Sequence, residues 1–507
     1  MTIQIAGYTT SDKVPGYVGE TKYGRGKTSI GAISLKCLVV GSMLSTGSAT
    51  ADTDLVSIFT TDEADTQFGA ASEIAMMCYA ALSVPGVTLV AAPLADPTGV
   101  QAQVTVQVTG TWTTSGTVRL FLDGIPIDVS VASTDVVGDV ATSINAAVNQ
   151  KNTPLFPTLP FASTVATDTA TVKCRNKGLR GNTHVIDTDL SLAPAGLGLV
   201  VTGGSALTDG IIPFVSGTGS DDVTNVLALL TTDVYDYPAF AQADSSNLAL
   251  IKAQVASEAG PLVGHMEHYT VASARALSTA TSLASTTLND QRGAVVWGLN
   301  VETHPSVIAA EMAAHRSVSD GDNPNGFWSN KDITWAGKLN CVAPQRYKAD
   351  IAKRATLKAA LDSGVTPLMT APDGTVSISR GIVTHCLNGA APDYRTLDWA
   401  DAVVPDRIRK ELGAQYELEQ QSNPYAGPDP ASNERPAPEG VLTPTLWNAS
   451  ATKVLKDAET ANWIEAVDSN LPVSEWDAAA KRIMSAVPVV VRSKNYALGA
   501  SVRQTAA

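Results

Sequence analysis

Polar and apolar positions alternate with period two from residue 375 to residue 382. Val376, Ile378 and Ile382 take even positions, and Thr375, Ser377 and Ser379 take odd ones. This is the pattern of a half-buried strand with one apolar face, opened by turn chemistry at Asp373-Gly374. Gly381 marks a bulge or a close backbone approach. The N-terminal third is patterned differently. Residues 35–41 make a compact apolar strand that runs into a glycine turn. Across 61–83, Phe68, Ile74, Met77, Cys78 and Ala81 recur at helical spacing, with Thr61 or Asp62 as the cap. A second strand covers 87–92, and strand, helix, strand at this spacing implies a right-handed crossover in a parallel sheet.

The texture changes from about 100 to 205. Thr and Val alternate at 104–108, 118–122 and 127–131, with Asp123-Gly124 as a tight turn, which predicts a β-meander. One helix interrupts it over 136–149, capped by Asp135, with Val140, Ile144 and Val148 on one face. Residues 171–186 return to strand, and Lys173, Arg175 and Lys177 fit an exposed strand edge better than an anion site. The α/β pattern resumes beyond 205, with helices over 244–258, 272–281, 304–316 and 351–362 and strands over 234–240, 263–270 and 293–298. The glycine-rich stretch 216–222 lacks both phosphate-loop and dinucleotide fingerprints, so Ser220 or Asp221 is read as a helix cap. Then come a charged helix over 406–421, a proline-rich linker over 422–446, two helices flanking 471–473, and a last strand over 487–492 held to an edge by Pro488.

At 507 residues the chain is too long for one ordinary core, and 44% hydrophobic with 17% charged residues marks it as globular. A formal charge of −14 argues against sequence-independent nucleic-acid binding. No apolar run reaches the ~18–20 residues of a membrane span, and the first residues do not read as a signal peptide. Cys37, Cys78, Cys174, Cys341 and Cys386 are scattered without a C-x-x-C pair, so they read as small core residues made in a reducing cytosol.

Catalytic chemistry finds little support. His265 and His268, separated by Met266-Glu267, fall on opposite faces of the strand expected at 263–270 and cannot share a metal. No Gly-x-Ser-x-Gly elbow or subtilase motif is present, and His304 reads as a capping or surface residue. Neither a catalytic, a metal nor a cofactor site is expected. Arg407, Arg409 and Lys410 lie near the start of their helix, where cations oppose its dipole, so an acidic partner surface would explain them.

Five stretches resemble one family in the right order. Residues 373–384, from Asp-Gly-Thr-Val through Arg380 to Thr384, are similar to the strand opening the C-terminal domain of contractile phage tail sheath proteins of the Mu-like type. The others are 67–73, with Ala70 or Ala71 in place of a glycine, 90–94, the Lys-Gly-x-x-Gly-Asn turn at 177–182, and the helix start at 216–222 with Asp236 between tyrosines just after it. The resemblance implies an α/β fold: a split parallel-sheet core of subtilisin-like topology at 31–99 and 206–370, a β-rich insertion at 100–205, and a C-terminal α+β domain at 371–492. Extended arms would occupy 1–30 and 493–507. It implies a structural subunit without enzymatic activity, cofactor or nucleic-acid ligand, not inserted in a membrane. Such a subunit would be made in the host cytoplasm and placed in the virion tail as hexameric rings of a helical sheath. Its partners would be further copies, an inner tail tube, and baseplate and terminator proteins. Strand exchange between subunits would use Val14, Tyr17, Val18, Tyr23, Val376, Ile378, Ile382, Val489, Val491 and Tyr496, and the tube would meet Arg407, Arg409 and Lys410. The competing readings are an α/β hydrolytic enzyme with an accessory β domain and a secreted adhesin-like or surface-layer protein.

Overall fold

A computed structural model describes residues 32–207, 210–326, 339–347, 352–430 and 438–494. Val14, Tyr17, Val18, Tyr23 and Tyr496 lie outside the described residues. The chain divides into two units, one holding Ala32–Asp406 and one holding Arg407–Arg492.

The first unit begins with β1 (Lys36–Ser42), β2 (Val56–Ile58), α1 (Thr61–Phe68), α2 (Glu73–Leu82) and β3 (Thr88–Leu94). The single helix expected over 61–83 is two helices. Gly69 (φ +82°) and Ala71 (φ +54°) break it, Ser72 caps the second piece, and Thr60 caps the first in a reciprocal box with Glu63. Residues 101–213 then supply β4 (Gln101–Gly110), β5 (Gly116–Leu122), β6 (Ile125–Val131), α3 (Val137–Gln150), β7 (Phe161–Ala166), β8 (Thr169–Lys177), β9 (Val185–Asp189), β10 (Leu197–Thr202) and β11 (Ile212–Pro213). The chain continues through α4 (Thr224–Leu230), β12 (Tyr237–Phe240), α5 (Ser245–Glu258), β13 (Thr270–Ala274) and α6 (Leu277–Thr281), which passes into a π-helical turn at Ser282–Leu288. After these come β14 (Ala294–Gly298), α7 (Pro305–Asp322), α8 (Arg354–Asp362), β15 (Val365–Thr370), β16 (Val376–Ile378) and the short pair β17 (Leu387–Asn388) and β18 (Ala391–Pro392).

Eight strands form one sheet in the order β16-β15-β14-β13-β12-β1-β3-β2, parallel from β15 to β3 and closed at each end by an antiparallel strand. A parallel sheet covered on both faces needs continuous apolar strands rather than alternating ones. β1 obeys this: Cys37 and Val39 enter the cluster packed with α2 and α7, while Leu38 and Val40 enter the one packed with α4 and α5. β14 divides the same way, Ala294 and Val296 to one side and Val295 and Trp297 to the other.

The β-rich segment is not a meander. β4 pairs with β10 and β8, whereas β5 pairs with β6 and β9, so consecutive strands go to two separate four-stranded sheets. The inward positions of both (Val104, Val106, Leu120, Ile127, Val172) share one core cluster with Val140, Ile144 and Val148 of α3. The Asp123-Gly124 turn has the two positive φ values of a tight hairpin, +49° and +81°. β8 lies between β4 and β7, so Lys173, Arg175 and Lys177 are on a central strand and not an exposed edge. Asp135 does not cap α3; Asp139 reaches back to the Val136 N–H at 3.1 Å instead.

Further along, β13 starts at Thr270, beyond most of the expected 263–270 strand, and His265 and His268 precede it in irregular backbone. The charged helix begins earlier than expected: α9 covers Trp399–Ser422 and contains Pro405, and the boundary between the two units falls inside it. Residues 371–406, assigned from the sequence to a C-terminal domain, therefore lie in the unit of the large sheet.

The second unit holds the rest of α9, β19 (Tyr425–Ala426), β20 (Val441–Leu442), α10 (Pro444–Thr460), β21 (Val473–Asp477) and β22 (Arg482–Ala486). One small core cluster in it is Leu442, Trp447 and Ala451, with Leu412 and Ile483 against it, and Leu455, Ala458, Trp463, Ile464 and Val467 are buried as well. The second of the two helices flanking 471–473 is replaced by the β21–β22 hairpin. The last strand is reduced to a bridge between Val491 and Ile464, flanked by hydrogen bonds from Glu465 N–H to Val490 (2.9 Å) and Arg492 N–H to Trp463 (3.1 Å).

Candidate functional site

In open α/β sheets the place for a ligand is the crevice at the carboxyl ends of the strands, where the strand order reverses. Here that point lies between β1 and β12, since the chain goes from β1 to β3 on one side and later to β12 on the other. A side chain from the β-rich segment fills it. Arg180, on the turn after β8, sends Nε to Glu73 Oε1 (2.8 Å), Nη1 to Asp221 and Nη2 to Ser42 Oγ (2.9 Å). Ser42 ends β1, Glu73 opens α2, and Asp221 also accepts from Gln242 Nε2 (2.7 Å), just beyond β12. Asn176 adds to the contact, accepting the Glu73 N–H at 2.8 Å. Burial works to raise the Glu73 and Asp221 carboxyls, but the guanidinium outweighs it and both stay below their ordinary values. Asp221, read from the sequence as a cap, is the ion-pair partner of a residue on another element.

Beside this cluster opens a cavity of about 290 Å³, lined by Met76, Ile125, Phe156, Phe161, Val307 and Val342 among others. One wall is polar. His184 Nδ1 bonds Asp123 Oδ2 at 2.5 Å, and its ring stacks on His304 with centroids 4.2 Å apart. His304 caps α7, as expected, but it is buried rather than on the surface. Its Nε2 donates to the Arg180 carbonyl (3.3 Å), and Nδ1 accepts from Ser306 Oγ (2.6 Å). Two stacked buried imidazoles cannot both carry charge. Burial opposes protonation of His184, yet the Asp123 carboxylate overrides it and raises that ring well above its ordinary value. His304 is pushed down to about 3 by burial and by the charge on His184.

Other buried pairs brace the same unit. Arg346 forks onto Glu302 (2.8 and 2.9 Å), reaches Asp187 (2.8 Å) and stacks on Phe121 at 3.6 Å. Asp406 accepts both Arg292 nitrogens (2.6 and 2.9 Å) and His268 Nε2 (3.0 Å); burial would raise its carboxyl, but these bonds hold it at about 2. Glu311 on α7 is fully buried and accepts the Asn340 and Cys341 N–H groups, and burial pushes it up to about 8. A carboxyl raised in the folded state contributes stability below its unfolded value of 4.5 and loses it as pH rises through about 8. Raising the pH from about 5.5 to about 9 is therefore expected to cost on the order of 3 kcal/mol at Glu311. In urea titrations, Glu311→Gln should gain stability at the higher pH and change little at the lower one. Equal effects at both would show that Glu311 does not titrate in this range.

The sequence-predicted contact residues are placed less favourably. Val376, Ile378 and Ile382 are buried, with all of β16 covered, and Leu339 bridges Val376. That strand is the end of the core sheet and does not present a free apolar face. Val489 and Val491 are half-buried, Val491 already paired within its own unit. Arg407 is 4% exposed, bonded to Glu411 (3.1 Å) and stacked on Trp463, so it offers no surface for a tube; Arg409 and Lys410 are half-buried. The two-stranded β21–β22 sheet is more open. No further strand pairs with it among the described residues, and Val473 and Met484 are 62% and 52% exposed.

The molecule is thus an α/β scaffold in which Arg180 ties together the carboxyl ends of β1 and β12, with cavities of about 290 and 280 Å³ on either side of it. No family model matches the chain. It is 30% identical over 232 residues to the Mu-like prophage FluMu tail sheath protein of Haemophilus influenzae, a match that covers 45% of this chain and 44% of that one. The chain thus spans less than half the length of this curated relative. Among solved structures it is similar to the sheath tail protein of Listeria innocua (12% identity, 92% and 94% of the two chains, TM-score 0.49). It is also similar to the anti-feeding prophage helical sheath in its contracted state (10% identity, 97% and 99% covered, TM-score 0.47). The resemblance to contractile tail sheath proteins read from the sequence has its counterpart in the curated match.

Proposed function

We propose that this chain is a structural subunit of a contractile tail sheath, a component of a virion tail or tail-like particle. Copies would stack as hexameric rings around an inner tube, ending at baseplate and terminator proteins, and contraction would drive the tube through a target envelope. The subtilisin-like topology of the core belongs to the same reading. The observation that carries it, beside the prophage sheath match, is the β21–β22 ribbon. A two-stranded sheet is marginal alone, and extended segments from neighbouring copies would complete it by adding strands. Contacts of that kind that do not close on themselves build a helix. Against the hydrolytic alternative stands the engagement of Arg180 at the strand ends, where its guanidinium is committed to Glu73, Asp221 and Ser42.

Electron microscopy of the purified protein at rising concentration tests this. The full chain is expected to form tubes or stacked rings, and a chain lacking 1–28 and 494–507 is expected to lose them. Tubes that survive trimming would sink the strand exchange but keep the sheath. A chain that stays monomeric at every concentration would count against both.

A further inference from the structure

We propose that the second cavity beside Arg180 binds a small molecule with one carboxylate and an apolar body, the carboxylate received by Arg275. The cavity measures about 280 Å³ and lies at the carboxyl ends of β12 and β13, where Ala241 and Ser273 line it. Open α/β sheets take their ligands at strand ends of this kind, and the volume is near the lower end for small-molecule sites. Arg275 follows β13 directly and lines the same space. Its backbone is left-handed (φ +69°), a strained state for a residue with a side chain unless its neighbours fix it. Two bonds do so: its N–H donates to the Gly298 carbonyl at 3.2 Å, and its carbonyl accepts the Trp297 indole N–H at 3.0 Å.

The guanidinium held there is only partly used. Nη2 donates to the Thr183 carbonyl, and Nε is buried without an acceptor. Nη1 donates to no described group and is not sealed off as Nε is, which leaves it for a ligand. Arg180, Arg292 and Arg346 of the same unit each grip a carboxylate, whereas Arg275 has none among the described residues. Burial pulls Arg275 below its ordinary value, and Asp123 and Glu302 offset this only in part because they are bonded to His184 and Arg346. A bound carboxylate supplies the missing counter-charge and a charge-assisted hydrogen bond. The other walls set the ligand class. Leu179, Leu283 and Pro305 give an apolar side. Asp221 and Asp244 line the cavity too, the first paired with Arg180 and the second capping α5 through the Asn247 N–H at 3.0 Å. Two acids so close disfavour a dianion such as phosphate, so the ligand carries a single charge. His304, the remaining titratable neighbour, is held neutral by burial.

The experiment is calorimetric titration of the full-length protein with benzoate at constant ionic strength, beside its uncharged isostere benzamide and inorganic phosphate. Benzoate is expected to bind saturably and at least ~10-fold tighter than either, the factor that one hydrogen bond to a charged group supplies. Arg275→Gln should bring benzoate down to the level of benzamide and leave benzamide unchanged. Ala243→Leu, at a half-buried position on the cavity wall, should fill the space and weaken benzoate with Arg275 intact. Absence of saturable benzoate binding, equal affinity for benzoate and benzamide, or a benzoate affinity indifferent to Arg275→Gln in folded protein would overturn the proposal. Phosphate binding as tightly as benzoate would overturn the ligand class. If Arg275→Gln unfolds, the benzoate-to-benzamide ratio of the unmodified sequence and the Ala243→Leu variant decide.

Discussion

Replacing Arg180 by methionine is expected to lower unfolding stability by about 3–5 kcal/mol, the range for removing one partner of a buried ion pair. Two carboxylates depend on that guanidinium. Glu73 and Asp221 have side chains only 9% and 4% exposed, and without Arg180 they are a like-charged pair inside the protein. The Arg180 side chain is 22% exposed, so water compensates part of the loss and the lower half of the range is the better estimate. The sign follows from asymmetry: the charges left behind cost more than the pair itself contributed. Urea titration checks the loss, and hydrogen exchange across 177–183 and 73–76 should rise first, because those segments meet through this residue. Arg180→Lys should recover only part of the loss, since an ammonium cannot serve two carboxylates and Ser42 through a planar fork. Adding Glu73→Gln and Asp221→Asn to Arg180→Met should restore more than half. A single-variant loss under about 1 kcal/mol would show that solvent reaches the cluster.

What was legible in the sequence was the periodicity, and what was not was the partner. Period two at 104–108 and 118–122 identified strands, but nothing local told β4 to join β8 and β10 while β5 joined β6 and β9. The same limit explains Val376 and Ile378: alternation placed a strand there, but the large sheet takes it as an end strand and buries it. The capping signal holds at His304, where the cap has no competitor, and fails where a distant charge claims the residue, as Arg180 claims Asp221. The lone Arg180 in a glycine-flanked turn, with no local acid to pair with, was the signal that could have been followed. Pro405 misled in the other direction. Proline ordinarily marks a helix boundary, yet α9 begins at Trp399, ahead of the 406 expected from the sequence, and continues through Pro405.

Trp297→Ala is expected to cost about 3–5 kcal/mol, the range for deleting a large aromatic from a packed core. Trp297 lies on β14, between β13 and β15 in the large sheet, and is completely buried. Its ring belongs to the cluster with Tyr269, Leu288, Val295 and Val365, so truncation opens a void bounded by strands and helix that cannot all collapse into it. The indole N–H also donates to the Arg275 carbonyl at 3.0 Å, at a residue held in the left-handed region (φ +69°). Losing that donor leaves a partly buried carbonyl without it, which adds about 1 kcal/mol. Trp297→Phe separates the two effects: it keeps most of the volume, loses the donor, and should cost about 1–3 kcal/mol. Denaturant titration of both variants reads the difference directly. If alanine and phenylalanine cost the same, the hydrogen bond to Arg275 matters and the packing does not. If alanine costs less than about 1 kcal/mol, the sheet reorganises around the void and β14 is not the rigid centre that its burial implies.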